Sequence, residues 1–145
     1  MSLRAHFRQQ AEVCDALGSP FTARLLRCLA ARMMPGRAVE TRLFDWPEAR
    51  LKSDAVALRL AGALHALVLM GRDDGLSTVY PPQQAAEGEL WNAVDAALAA
   101  HEAHILHWLD SAPQTNEVRR AMALILGAAV AADHFPGLPL RISEL

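Results

Sequence analysis

Lysine is nearly absent from this sequence: Lys52 stands alone among 14 basic residues. The basic residues are scattered, with Arg119–Arg120 the only adjacent pair, and 16 acidic residues leave a net charge of −2. No basic stripe with interleaved aromatics forms, which argues against a nucleic-acid partner. Aromatics are few, at 6%, while hydrophobic residues reach 52%. A core made mainly of Ala, Leu and Val suits close-packed helices better than a sandwich of β-branched strands. The two cysteines, Cys14 and Cys28, make no CxxC pair and are too few for a zinc site without suitably spaced histidines. Each falls on the apolar stripe of a predicted helix, so buried free thiols in a reducing cytoplasm are expected. Long apolar runs are missing too. The longest, 121 to 132, falls well short of the roughly 20 residues a membrane span needs. Arg4, His6 and Arg8 interrupt the start, which argues against a signal peptide. A cytoplasmic protein without membrane contact is expected, and 145 residues suffice for one domain with its own core.

What is present is helical periodicity. Leu3, Phe7, Ala11, Cys14 and Leu17 share one face of an amphipathic helix that Gly18 stops. Ser19–Pro20 then reads as an N-cap followed by a first-turn proline. The second helix is predicted to run to about Met34, antiparallel to the first because the connection is short. Val39, Leu43, Phe44 and Trp46 suggest a short helix before Pro47. Ser53–Asp54 is predicted to cap a third strong helix reaching about Met70. That helix is apolar nearly all round, broken by Arg59 and His65, which places it at the centre of a bundle. Its Gly62 would let a neighbour approach closely. One helical turn is expected at Leu76–Tyr80, then a long helix from about Glu87 to Leu109 with Trp91, Val94, Leu98, Ile105 and Leu109 inward. A final helix, again largely apolar, is predicted from about Thr115 to His134. The fold class expected is all-α, a bundle of about five to seven helices over residues 1–137.

Residues 138–145 alternate apolar and polar, the pattern of a strand. A lone strand has no partner in a helical chain. The expectation is that this tail begins an α/β domain lying beyond Leu145, or pairs with a second copy of the chain.

Three groups of residues invite chemistry. His101, His104 and His107 follow one another at three-residue steps, so the outer two point about 120° apart. This is not the i, i+4 spacing of HExxH, and a metal would need ligands from a second helix. A solvated helix face is the favoured reading, and no metal is expected. Arg59 and His65 sit on the apolar third helix, also about 120° apart. An arginine there needs a carboxylate or several carbonyls, and Glu117 is the expected partner. His65 reads first as a core histidine with satisfied hydrogen bonds. Finally, Gln114, Asn116 and Glu117 crowd a helix N-terminus, where capping by Thr115 or Asn116 is the favoured reading; one cap suffices, so ligand contacts are the alternative. No catalytic group is assigned.

Several stretches together resemble an uncharacterised bacterial family of unknown function. They are Leu17–Phe21, Asp45–Trp46–Pro47, Arg59 to Gly71, Val79–Tyr80–Pro81, and Pro113 to Val118 with Arg120. The resemblance covers essentially the whole chain. It implies a helical N-terminal region followed by a region like S-adenosylmethionine-dependent methyltransferases, with Glu144–Leu145 matching the acidic end of that region's first strand. The chain stops where the glycine-rich turn of such a fold would begin, so no cofactor is expected on these residues alone. The resemblance makes Arg59, His65, Tyr80, Gln114, Asn116, Glu117 and Arg120 the candidate ligand-binding residues. Two functions follow as expectations. One is a substrate-side helical domain of a methyltransferase-like protein, without activity by itself. The other is a helical association module that forms a homodimer and binds no ligand.

Overall fold

The computed structural model describes residues 1–111. The predicted helix at 115–134, the strand-like tail, and Gln114, Asn116, Glu117 and Arg120 all lie outside that range. Among the described residues the chain is all-α, as its periodicity predicts. Seven helices appear there and no strand: α1 (Leu3–Ala16), α2 (Pro20–Arg32), α3 (Ala38–Phe44), α4 (Val56–Leu69), α5 (Asp74–Ser77), α6 (Glu87–Ala100) and α7 (Glu102–Asp110). A 3-10 turn at Glu48–Arg50 joins α3 to α4.

α1 and α2 pack along each other. Their antiparallel sense is fixed by Arg4, in the first turn of α1, whose guanidinium donates to Ala30 O and Met33 O at the end of α2, both at 2.6 Å. Carbonyls at a helix C-terminus lack partners within the helix, and a cation there also meets the negative end of the dipole. α2 stops two residues short of Met34, because Pro35 keeps the residue before it out of the helical region. At the other end Pro20 opens α2 as expected, but Ser19 makes no side-chain cap. Its hydroxyl donates to Thr22 Oγ1 at 2.9 Å instead.

α4 is the centre of the bundle. Twelve of its fourteen residues are buried, and α1, α2, α5 and α7 all pack against it. Its start differs from expectation. Ser53–Asp54 does not cap it; the helix begins at Val56, after Ala55 in a left-handed conformation. The Asp54 carboxylate turns away, accepting the Trp46 indole N–H at 2.9 Å and pairing with Arg50 at 3.1 Å. The missing cap comes from α1, where His6 Nε2 accepts the Ala57 N–H at 3.1 Å.

The single helix predicted for 87–109 is two. It breaks at His101, whose φ of −118° and ψ of 36° leave the helical region. The break re-aims α7 so that it lies along α4 and α3. Gly62 is what allows this approach: a Cβ there would stand 2.8 Å from Trp108 Cζ3. On α6 the inward stripe runs through Leu90, Val94, Ala97 and Leu98, with Trp91 only half-buried. Cys14 and Cys28 are buried and free.

Candidate functional site

Arg59 and His65 share α4 but belong to different environments. Arg59 is 3% exposed. Its Nε donates to Asp54 O at 2.6 Å, and Nη1 reaches Leu109 O at 3.1 Å and Ser111 O. Among the described residues no carboxylate touches it. Carbonyls serve it instead, and the expected partner Glu117 lies outside the described residues. Arg59 thus closes the C-terminal end of α7 much as Arg4 closes α2. Burial lowers its pKa, and the nearby charges of Arg42 and Arg50 push the same way, while Asp54 and Asp110 oppose them.

Arg59 forms the floor of a cleft of about 140 Å3. Arg42, Trp46, Arg50, Asp54, Leu109, Asp110 and Ser111 complete it. Arg42 lies over the Trp46 ring, 4.1 Å from its centroid, and reaches Asp110 at 3.3 Å. Such stacking of a guanidinium on an indole is favourable and holds the arginine flat. The local sequence arranges this. Arg42 and Trp46 are four apart across the end of α3, and Arg50 and Asp54 are joined by a turn in which the Asp54 N–H donates to Arg50 O at 2.9 Å. Of the cleft's polar groups, only Arg59 was singled out from the sequence. Asp45–Trp46–Pro47 contributes to the family resemblance and Trp46 to the predicted short helix before Pro47, and neither marks it as part of a cleft.

His65 and Tyr80 do come together. His65 Nδ1 lies 2.7 Å from Tyr80 Oη, and its Nε2 lies 3.2 Å from Thr22 Oγ1. Phe21 flanks the tyrosine, with ring centroids 4.5 Å apart. Complete burial lowers the His65 pKa to about 4 and raises that of Tyr80 well above its ordinary value. A neutral imidazole donates from one nitrogen and accepts at the other, and either tautomer satisfies this chain of hydroxyls. The group is sealed among core side chains and does not line the arginine cleft.

The histidine-bearing helices are less solvated than expected. His101 Nε2 meets Asp73 Oδ2 at 3.0 Å, His104 Nε2 donates to Ala63 O at 3.0 Å, and only His107 is exposed. Burial lowers the His104 pKa. Among the described residues no group of three or more His, Cys, Asp or Glu side chains is placed to hold a metal ion. No helix there is long and apolar enough to cross a membrane.

An all-helical bundle with a hydrogen-bonded His65–Tyr80 pair in its core and an arginine-lined cleft is the class these features define. The chain belongs to the family described as "Uncharacterized protein conserved in bacteria (DUF2332)", whose model matches residues 4–145. No curated protein and no solved structure matches it.

Proposed function

We propose that the chain is the substrate-side helical domain of a methyltransferase-like protein, without catalytic competence of its own. The observation that carries the substrate-side part is the arginine cleft. It is lined by Ser111, which follows α7 in sequence. Charged groups gathered in a concave site next to further polar residues are the usual makings of a ligand site. The methyltransferase part draws on the sequence resemblance and on the strand-like pattern of 138–145. In this reading the helical domain orients the substrate, and a following α/β domain holds S-adenosylmethionine.

Calorimetric titration of S-adenosylmethionine tests this, using a longer protein that carries the proposed α/β domain and, as control, the 145-residue chain. Binding by the longer protein alone is the expected result. Binding by neither removes the methyltransferase reading.

A further inference from the structure

The cleft brings three guanidinium groups, Arg42, Arg50 and Arg59, against two carboxylates, Asp54 and Asp110. Among the described residues the balance is one positive charge. Asp54 is already engaged by the Trp46 indole and by Arg50. Nε and Nη1 of Arg59 donate to carbonyls, which accept hydrogen bonds without cancelling its charge. Like charges assembled in a partly enclosed site repel one another more strongly than they would in open water. An anion entering the site relieves that repulsion.

Arg42 and Arg50 are the groups able to meet it, at 41% and 65% exposed. The one carboxylate contact of Arg42 among the described residues, to Asp110, is 3.3 Å long. A strong charge-assisted bond is nearer 2.7–2.9 Å, so Arg42 is not committed to that partner. Its Cζ lies 4.1 Å from the centroid of the Trp46 ring, and a guanidinium is a planar fork whose shape matches a carboxylate. Trp46 and Leu109 lie among the lining residues, both buried, at 7% and 1% exposed.

We propose that this cleft binds a small organic acid through a single carboxylate group, gripped by Arg42 and Arg50. The assignment deepens the substrate-side reading of the cleft and rests on it. One carboxylate neutralises the excess charge. A phosphate group, with roughly −1.5 to −2 charge, would leave a negative surplus beside Asp54 and Asp110.

The test is a heteronuclear NMR titration of the full chain with propionate, with neutral propionamide and with inorganic phosphate, read at the Trp46 indole N–H. Propionate is expected to shift that signal saturably, with no response to propionamide. Arg42→Gln and Arg50→Gln are each expected to weaken propionate binding at least about fivefold, in line with loss of a charge-assisted contact. Circular dichroism checks that the variants keep their helices. If Arg42→Gln does not, Arg42→Lys retains the charge without the fork and is expected to weaken binding as well. No saturable shift with propionate, an equal shift with propionamide, or tighter binding of phosphate overturns the proposal. The S-adenosylmethionine titration reports separately. Propionate binding without S-adenosylmethionine binding keeps the acid site and removes the methyltransferase reading; the reverse outcome removes only the acid site.

Discussion

His6 Nε2 accepts the backbone N–H of Ala57 at 3.1 Å, so a side chain of α1 caps the first turn of α4. Residues 51 apart in sequence are joined by a contact that helices ordinarily make within a few residues. His6→Ala is therefore expected to destabilise the protein by about 1–2 kcal/mol through the lost cap. Chemical denaturation measures this. A change within error of zero would show that water serves Ala57 equally well.

Acid acts on the same kind of group. His65 titrates at about 4 in the folded protein, against 6.5 for an unperturbed histidine, because burial disfavours its charge. Between these values the unfolded chain binds the extra proton, so stability rises with pH across the window. The contribution is intact above about pH 6.5 and lost as pH falls toward 4, amounting to about 3 kcal/mol in all. The His6 and His104 shifts have the same sign. Urea midpoints from pH 7.5 to 4 should fall steeply for the native chain and less steeply for His65→Gln. Parallel profiles would mean that His65 does not set the slope.

Gly62→Ala sets two effects against each other. Alanine favours a helix over glycine by up to about 1 kcal/mol. The added Cβ would meet Trp108 Cζ3 at 2.8 Å, and overpacking of this kind costs about 1–3 kcal/mol. Net destabilisation is expected. Trp108→Leu in the same chain should make the alanine neutral or favourable, and thermal melts of the four proteins in the cycle decide it.

Arg59→Lys keeps a charge but replaces a planar fork with a single ammonium. It cannot serve Asp54 O and the α7 carbonyls together. A loss of about 2–4 kcal/mol is expected from carbonyls left without donors. Hydrogen exchange should show the last turn of α7 opening first; uniform loss of protection would contradict a local clamp.

The helices were legible in the sequence because their signals are local. Gly18, Pro35 and the stripe of Leu3, Phe7 and Ala11 say where α1 and α2 begin and end. The all-apolar surface of α4 announced its central position, and Gly62 its close contact. The break at His101 was not legible: Glu87 to Leu109 carries helix formers throughout, and the chain turns there to bring α7 onto α4. Asp54 misled for a related reason. It has the right type and place for an N-cap, yet Trp46 and Arg50 claim its carboxylate. Of the candidate site, Arg59 stood out as a charge on an apolar helix. Arg42 and Arg50 did not, since arginines on polar faces look ordinary until a tryptophan and a neighbouring helix end gather them.

The Arg59 clamp also has a consequence for synthesis. Fifty-two residues separate Arg59 from Ser111, whose carbonyl it binds. Chains emerge N-terminus first, so α4 leaves the ribosome well before the helix that covers it. Throughout that interval Gly62 and Ala63 lack their partner on α7, and the Arg59 guanidinium stays hydrated beside them. The Arg59 clamp therefore cannot close until α7 supplies the Leu109 and Ser111 carbonyls.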